Sequence, residues 1–167
     1  MLIPDLMIDD IFQLDAEALV KEGFRFLIFD IDNTIVPYEM AEPDDRIKAF
    51  FKSLDVAGIK VAFLSNNNDE RVSLFNRELN YYYIADAHKP SVKMLNKCIA
   101  ENKVPRENIL FVGDQIFTDC LVAHRAKLKC YLVKPISPVN TWFFKFKRKL
   151  EIPFIKIYKH RNKQVKK

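Results

Sequence analysis

Apolar and polar positions follow two alternating patterns along the chain. Short continuous apolar runs, typical of strands buried on both faces, are separated by stretches whose apolar residues recur every three or four positions, as on one face of a helix. The predicted strands are Phe24–Phe29, IKVAFLS (residues 59–65), YYYIAD (81–86), NILFVGD (108–114) and KCYLVK (129–134). Each strand after the first is reached through a helix, so the pattern predicts an α/β fold with one five-stranded parallel sheet and helices on both faces.

The predicted helices carry start and stop signals. A first helix over Ala16–Glu22 has Asp15 as its N-cap and ends at Gly23. We expect the fourth helix to begin at Pro90, because proline suits a first helical turn. The remaining predicted helices are DDRIKAFFKSLDVAG (residues 44–58), DERVSLFNREL (69–79), PSVKMLNKCIAEN (90–102) and TDCLVAHRAKL (118–128).

Composition narrows the class of protein. With 167 residues, 49% of them hydrophobic, the chain suits one well-buried domain rather than two. Cys98, Cys120 and Cys130 are odd in number and lack CxxC spacing, so we expect buried, reduced thiols. The start MLIPDLMIDDIF carries acids and a proline where a signal peptide has a basic start, and no run reaches the roughly 18 apolar residues of a spanning helix. These features predict a cytoplasmic protein.

The basic charge lies at the C-terminus. Residues 140–167 carry ten Lys or Arg against one acid, a net +9, whereas the rest of the chain carries a net −4. We therefore divide the chain into a domain over residues 1–139 and a basic tail over 140–167. The tail spaces Trp142, Phe143, Phe146 and Leu150 as on one helical face, with Lys145, Lys147, Arg148 and Lys149 between them.

That tail pattern predicts an amphipathic helix lying on an anionic membrane, peripheral at its inner face. Each Lys or Arg near such a surface contributes about 1 kcal/mol of binding free energy. In a second interpretation the aromatic residues pack on the domain and the lysines are solvated. Basic residues interleaved with aromatic ones also fit nucleic acid, which we rank second as a partner.

Polar residues stand immediately after the predicted strands. Asp30 and Asp32 follow the first strand, Ser65 and Asn66 the second, and Asp114 the fourth. All parallel strands end at one edge of the sheet, where α/β proteins bind their ligands, so these side chains can meet in one crevice. Lys89, at the start of the fourth predicted helix, lies near the same edge.

These residue types fit phosphoryl chemistry. Two unpaired carboxylates about 4 Å apart repel by roughly 4 kcal/mol at an effective dielectric of 20, so Asp30, Asp32 and Asp114 together predict a bound cation. Oxygen ligands without His or Cys favour Mg²⁺, which binds through one or two carboxylates and a substrate phosphate. Ser65 and Lys89 suit the phosphate oxygens. One carboxylate can then attack phosphorus while its neighbour carries the proton to the leaving oxygen.

Each position also has a purely structural interpretation. Residues 32–34 fit a strand-ending turn, residues 65–68 fit helix capping, and Asp119 fits a cap of the following helix. Lys89 alone fits a solvated side chain. Asp30 is harder to explain in this way, because an acid that ends a buried strand needs a compensating charge. All these interpretations would have to hold together at one sheet edge.

The segments DIDNT, SNN, KP and GDQIFTD, in this order, resemble the four motifs of the haloacid dehalogenase (HAD) superfamily. The resemblance runs from about Phe24 to Lys134, and the wording GDQIFTD together with the basic tail is similar to the subclass IIIA, YqeG-like phosphatases. It implies a Rossmann-like three-layer sandwich with strand order 5-4-1-2-3.

The resemblance also implies roles for the matching residues. Asp30 would be the nucleophile and a metal ligand, and Asp32 the general acid and then base, with its backbone carbonyl on Mg²⁺. Asp114 would be the main metal carboxylate and Asp119 a second acid at the metal's waters. The residues expected at the substrate phosphate are Thr34, Ser65, Asn66 and Lys89.

The chain has no room for the cap domain that encloses small substrates in many HAD enzymes, because one helix and one strand fill each of the two insertion points. An open site suits a large or surface-bound substrate. We expect an Mg²⁺-dependent phosphatase that acts through an aspartyl-phosphate and dephosphorylates phosphatidylglycerophosphate to phosphatidylglycerol, as the resemblance to the related phosphatidylglycerophosphate phosphatase implies. Two alternatives are the same chemistry on a nucleic-acid terminal phosphate or a soluble phosphomonoester, and a weakly catalytic module that binds RNA or a ribosomal particle. A receiver domain fits less well, because its acids and lysine lie at other strands.

Overall fold

A computed structural model describes residues 2–137 and 142–165, with the side chains of 142–148 and 162–165 left out of the description. Its centre is one parallel sheet of six strands in the spatial order β1-β6-β5-β2-β3-β4. The strands are β1 (Leu6–Ile8), β2 (Phe26–Phe29), β3 (Lys60–Leu64), β4 (Tyr82–Ile84), β5 (Ile109–Gly113) and β6 (Lys129–Val133).

Helices cover both faces of this sheet. They are α1 (Ala16–Lys21), α2 (Asp45–Val56), α3 (Asp69–Asn76), α4 (Lys93–Asn102), α5 (Leu121–Arg125) and α6 (Trp142–Val165). Alternate residues of β2 point to opposite faces: Leu27 and Phe29 pack with α1, α2 and α3, whereas Phe26 and Ile28 pack with α4 and α5. The continuous apolar runs therefore mark strands buried on both sides.

The predicted fold class is confirmed. The five predicted strands are present, and among themselves they have the predicted order 5-4-1-2-3. In the fully described stretch from Asp32 to Lys89, α2 and α3 alone join the strands, so no cap domain is inserted there. The strand count was wrong by one, because β1 adds a sixth strand beside β6, with Leu6 opposite Tyr131. Unlike the three residues of β4, which lie within the run YYYIAD, those of β1 lie between Asp5 and Asp9, and so short a run is not recognised without its partner strand.

The fourth helix begins later than predicted. It starts at Lys93, and Pro90 lies before it. The side chain of Asn66 binds both backbone groups of Lys89, accepting from its N–H at 2.6 Å and donating to its carbonyl at 3.1 Å. These contacts hold Lys89 outside the helix and turn its side chain into the sheet edge. Long-range bonds of this kind leave no mark on local periodicity.

The other helix predictions agree closely with the structure. The Asp15 carboxylate accepts a hydrogen bond from the backbone N–H of Ala18 at 2.7 Å, as an N-cap does, and Gly23 ends the segment with a φ of 94°. Asn68 caps α3 by accepting from the N–H of Arg71 at 3.0 Å. All three cysteines are buried free thiols, as predicted.

Helix α6 contacts the domain through its central residues. The Glu151 carboxylate accepts a hydrogen bond from the backbone N–H of Ile116 at 2.8 Å, and the Tyr158 hydroxyl accepts one from Met7 N–H at 3.0 Å. The Phe154 ring packs edge-on against Phe117, with 5.5 Å between the ring centroids. Part of the predicted tail therefore packs on the domain, as the second interpretation of that segment expects.

Most side chains of the predicted apolar stripe in the tail lie outside the part of the chain that the structure describes. Of its four residues, Leu150 is half exposed, whereas the side chains of Trp142, Phe143 and Phe146 lie outside the described ones. The same holds for Lys145, Lys147 and Arg148. Within residues 2–137 and 142–165, no helix combines the length and the apolar character needed to cross a membrane.

Candidate active site

The loop after β2 places Asp30 at the centre of the sheet edge. Its backbone N–H still donates to Val112 of β5 at 2.9 Å, so the residue continues the strand pairing. One carboxylate oxygen, Oδ1, lies 2.6 Å from Lys89 Nζ, and the other accepts from the Thr34 hydroxyl at 3.1 Å. Asp30 is only 6% exposed. The contacts with Lys89 and Thr34 hold its carboxylate in one orientation.

A tight turn brings Asp32 back over the same strand end. Asn33 adopts the left-handed conformation with a φ of 65°, which asparagine tolerates better than most residues. The carbonyl of Ile31 accepts from the N–H groups of Thr34 and Ile35 at 3.2 and 2.9 Å. Residues 32–34 do form the strand-ending turn of the structural interpretation, and this turn is also what presents the two carboxylates together.

Two residues that the sequence analysis missed hold Asp32. Arg71 Nη2 lies 2.9 Å from its Oδ1, and the Asn67 side-chain amide donates to its Oδ2 at 3.1 Å. Arg71 also donates to the carbonyls of Met40 and Ala41, at 2.8 and 2.9 Å, and so ties the loop after β2 to α3. In the sequence, Arg71 is one of several arginines on polar helix positions, and nothing local distinguishes it.

We predict that Arg71→Ala lowers kcat about tenfold with little change in KM. The variant loses a charge-assisted hydrogen bond that orients Asp32, an interaction worth about 1.5 kcal/mol or more. Steady-state phosphatase assays measure both constants. Arg77→Ala is the matched control, because Arg77 follows α3 and pairs with the exposed Glu42. An unchanged kcat in Arg71→Ala would contradict a positioning role for this side chain.

Lys89 bridges two parts of the site. Its Nζ lies 2.6 Å from Asp30 and 2.7 Å from Asp119, and the side chain is almost fully buried. Burial opposes the charged form, but the carboxylates of Asp119 and Asp30 outweigh that cost and raise the pKa of Lys89 above its usual value. The solvated interpretation of this lysine is therefore wrong, and it is a fixed positive charge beside Asp30.

The segment after β5 is built around Asp119. This side chain belongs to a π-helical turn, Ile116–Cys120, and its Oδ2 accepts from the backbone N–H groups of Asp114 and Gln115 at 3.2 and 3.0 Å. Those residues precede Asp119, so it does not cap the following helix. A Cβ on Gly113 would lie 2.4 Å from the Cβ of Asp119, which explains the glycine between strand and turn.

Three buried carboxylates meet at this edge. Ligand oxygens of Asp30, Asp114 and Asp119 all lie within 4.8 Å of one another. Burial raises the pKa of Asp30 to about 7, although the Lys89 ammonium works in the opposite direction, so one lysine does not offset the cost of the buried charge. A donor set made only of carboxylate oxygens, with an excess of negative charge, fits Mg²⁺.

A cavity of about 190 Å³ opens beside Asp30; Asp114 and Asp119 are not part of its lining. Asp30, Asp32 and Lys89 lie in its lining, together with Ser65 and Asn66, which follow β3. Ser65 is buried and accepts from the N–H of Asn67 at 3.0 Å. Tyr38 also lines the cavity. Its pKa is raised, mainly by burial and to a smaller extent by the nearby carboxylates. The cavity can hold a group of phosphate size, with the bulk of a substrate outside.

The predicted site residues are brought to one place. The cavity is lined by Asp30, Asp32, Ser65, Asn66 and Lys89. The Thr34 hydroxyl donates to the second carboxylate oxygen of Asp30. With Asp30, the carboxylates of Asp114 and Asp119 form the cluster. The side chain of Asp32 is not part of that carboxylate cluster and pairs with Arg71 instead. The site also uses Arg71 and Glu151, which have no sequence signal, and Asn67 and Gly113, which lie in the segments SNN and GDQIFTD but were given no role there.

Comparisons with known proteins agree with this arrangement. Residues 8–127 match the family model described as haloacid dehalogenase-like hydrolase. The chain is 32% identical over 149 residues to a Bacillus subtilis (strain 168) protein named "Probable phosphatase YqeG", covering 89% of this chain and 87% of that one. It is 25% identical to the phosphatidylglycerophosphate phosphatase 1 of Arabidopsis thaliana, named as chloroplastic/mitochondrial, over 92% of this chain but 47% of that one.

A solved structure supports the fold. An uncharacterized protein from Listeria monocytogenes serotype 4b superposes with a TM-score of 0.55 at 13% identity, over 80% of this chain and 99% of that one. The resemblance inferred from the four motifs is confirmed by the family match and by the YqeG relative. The chain belongs to the haloacid dehalogenase-like hydrolases, as one of their phosphatases.

Proposed function

We propose that this protein is an Mg²⁺-dependent phosphomonoester hydrolase that acts through an aspartyl-phosphate and dephosphorylates phosphatidylglycerophosphate. The observation that carries the chemistry is the position of Asp30, in the lining of a phosphate-sized cavity with Lys89 Nζ 2.6 Å from its carboxylate. A nucleophile needs such a fixed orientation, and a transferring phosphoryl needs a fixed positive charge nearby.

In the proposed reaction a carboxylate oxygen of Asp30 attacks phosphorus. The bond between phosphorus and the leaving oxygen breaks, and Asp32 gives its proton to that oxygen. Asp32 then takes a proton from a water, whose oxygen attacks phosphorus and releases Asp30 and inorganic phosphate. Mg²⁺ held by Asp30, Asp114 and the Asp32 carbonyl, with Asp119 beside it, would neutralise charge on the phosphoryl oxygens.

The phosphate itself is bound by residues at the cavity wall in this proposal. Lys89 and Ser65 face the phosphoryl oxygens, while Thr34 and Asn66 keep Asp30 and Lys89 in position through hydrogen bonds of 3.1 Å. Arg71 and Asn67 keep Asp32 on the side of the leaving group. Each of these contacts is formed before substrate arrives, so little reorganisation is needed during the reaction.

Three features support the lipid substrate. The Arabidopsis relative is named for phosphatidylglycerophosphate. The site lacks a cap in the fully described stretch from Asp32 to Lys89, so a head group can enter while the acyl chains stay outside. On α6, Leu150 and Ile157 are 46% and 45% exposed beside the exposed Lys149 and Lys156, which suits a peripheral contact of the 140–167 tail with an anionic membrane.

The direct test is phosphate release by the full chain with Mg²⁺ from phosphatidylglycerophosphate in mixed micelles. A 5′-phosphorylated oligonucleotide and para-nitrophenyl phosphate are the comparison substrates. We expect kcat/KM for the lipid to exceed that of both comparison substrates. Turnover of para-nitrophenyl phosphate alone would keep the phosphatase chemistry and reject the lipid, and preference for the oligonucleotide would favour a nucleic-acid substrate.

Metal dependence has a test that does not use activity. We predict that Mg²⁺ at about 100 times its Kd raises the free energy of unfolding by about 2.7 kcal/mol, because it binds the folded chain alone. Thermal unfolding of metal-free protein with and without added Mg²⁺ measures this. Asp114→Asn should reduce the stabilisation strongly, whereas Asp86→Asn, in a loop that follows β4, should retain it. An equal stabilisation of all three proteins would contradict the proposed ligand set.

A further inference from the structure

A second cavity of about 710 Å³ lies between α6 and the sheet edge formed by β1 and β6. Strand ends lie on one side of it and a helix on the other, and we call it the α6 groove. Its apolar lining consists of Met7, Ile8, Leu132, Val133, Ile152 and Ile155. Nothing in the proposed phosphoryl chemistry uses these side chains.

The α6 groove begins at the candidate active site. Asp114 lines it, and a ligand oxygen of Asp114 lies within 4.8 Å of one of Asp30. Asp9 and Lys134, which follow β1 and β6, also line it, so the groove continues outward along the carboxyl edge of the sheet. The linings of the groove and of the active-site cavity share no residue, so a molecule whose phosphate lies at Asp30 would have to pass Asp114 to reach the groove.

Two polar contacts fix α6 on either side of the groove. Glu151 accepts from the N–H of Ile116 at 2.8 Å next to the active site, and Tyr158 accepts from the N–H of Met7 at 3.0 Å, two helical turns farther along. Both side chains are at least nine-tenths buried. The groove is thus bounded by a helix that is hydrogen-bonded to the domain at two points.

The charge at the groove's rim is complementary to an anion. Lys134, Lys149 and Lys159 are exposed and lie in its lining. Against these three lysines the rim exposes one acid, Asp9, whereas the other two acids of the lining, Asp114 and Glu151, are buried. An apolar floor with lysines at the rim suits an apolar chain that carries a negatively charged group near one end.

We propose that the α6 groove binds the diacylglycerol end of a glycerophospholipid substrate, with the rim lysines at its phosphodiester. This inference rests on the proposed function, and it names the second binding subsite of the same substrate. In phosphatidylglycerophosphate one glycerol joins the terminal phosphate to the phosphodiester, so with the terminal phosphate at Asp30 the phosphodiester would lie past Asp114, toward the rim lysines. The first part of the acyl chains then covers Ile152 and Leu132.

The kinetic test uses short-chain, monomeric forms of phosphatidylglycerophosphate and the deacylated head group, so that membrane binding does not contribute. For the full chain we expect KM to fall as the acyl chains lengthen, about fourfold for each methylene that the groove buries. Ile152→Asp should raise KM for the acylated forms about tenfold and leave the deacylated head group unaffected. Ile157→Asp is the matched control, since Ile157 is on α6 with the same exposure, 45% against 46%, outside the groove.

A binding measurement separates the groove from the reaction. Short-chain phosphatidylglycerol, which lacks the hydrolysable phosphate, should bind the full chain in calorimetric titrations. It should bind the variants Ile152→Asp and Lys149→Gln more weakly than the unmodified protein. Lys156→Gln, exposed on α6 outside the groove, should bind as the unmodified protein does.

The outcomes are distinct. The groove proposal is overturned if acylated and deacylated substrates are hydrolysed with equal KM. It is also overturned if Ile152→Asp and Ile157→Asp raise KM for the acylated forms equally. Either result leaves the phosphatase proposal standing. Groove-dependent binding of phosphatidylglycerol without any hydrolysis of phosphatidylglycerophosphate overturns the proposed reaction and leaves the groove. If the full chain neither binds phosphatidylglycerol nor hydrolyses any form of phosphatidylglycerophosphate, both proposals are overturned.

Discussion

Replacement of Asp30 by Asn is expected to lower kcat about 10⁴-fold or more while the protein stays folded. The amide cannot form the covalent bond to phosphorus, and losing a nucleophile removes nearly all the rate that its neighbours support. The amide still fits between Thr34 and Lys89, so the loop should keep its geometry. Phosphate release from para-nitrophenyl phosphate measures the effect independently of any lipid. Asp45→Asn, an exposed first-turn position of α2, should retain full activity.

The same substitution should not destabilise the metal-free protein. Burial raises the pKa of Asp30 from the usual range of an aspartate to about 7, so between those two pKa values the folded carboxyl keeps a proton that the unfolded one has lost. Stability therefore falls as pH rises through that window, and stays lower above it. Asp30→Asn removes this effect, so in EDTA at pH 8 its Tm should equal or exceed that of the unmodified protein, by about 3 °C for each kcal/mol gained.

At pH 4 that difference between Asp30→Asn and the unmodified protein should shrink, because Asp30 is then protonated in the folded chain. Thermal unfolding in EDTA at both pH values provides the measurement. A variant that retains activity would reject Asp30 as the nucleophile. A variant that unfolds well below the unmodified protein at pH 8 would show instead that the carboxylate is a net stabilising group.

Replacement of Lys89 by Met is expected to damage both activity and stability. Two buried carboxylates, Asp30 and Asp119, would lose the cation paired with both, and removing one partner of a buried ion pair costs about 3 kcal/mol or more. We expect Tm in EDTA to fall by roughly 9 °C. We expect kcat to fall about 10²-fold or more, because a fixed positive charge at the phosphoryl oxygens is lost.

The lysine contributes this stability across the physiological pH range. Its pKa is raised in the folded chain, so its stabilising effect is complete below its unfolded pKa and is lost only as pH rises through the folded one. Lys93→Met, at the exposed start of α4, is the control and should unfold like the unmodified protein. Equal stability of Lys89→Met and the control in EDTA would mean that the carboxylates do not need this counter-charge.

The candidate site and the α6 groove share one structural cause. Parallel strands end at the same edge, so the segments after β2, β3 and β5 supply side chains of the candidate site, and β5, β6 and β1 continue that edge toward α6. Asp114 belongs to both regions. The substrate proposal and the groove proposal therefore differ in what they predict: one concerns the terminal phosphate at Asp30, the other the acyl chains beside Ile152.

Much of this protein follows from the sequence alone. Continuous apolar runs indicate strands covered on both faces, and the alternation with helices leaves a parallel sheet as the consistent architecture. The same alternation implies that Asp30, Ser65 and Asp114 end at one edge, because strand direction is shared. The caps at Asp15 and Asn68 and the stop at Gly23 are local effects, readable from a few neighbouring residues.

Tertiary structure alone decided how those residues are held. Arg71 reaches Asp32 from α3 and Asn67 reaches it from the loop after β3, and the Asn66 side chain keeps Lys89 out of α4. The edge strand β1 exists only because β6 offers it hydrogen bonds, and Glu151 reaches the π-helical turn across 35 residues of sequence. Such contacts depend on side chains distant in the chain, so periodicity and spacing carry no sign of them. The α6 groove has the same origin, since it lies between two segments from opposite ends of the protein.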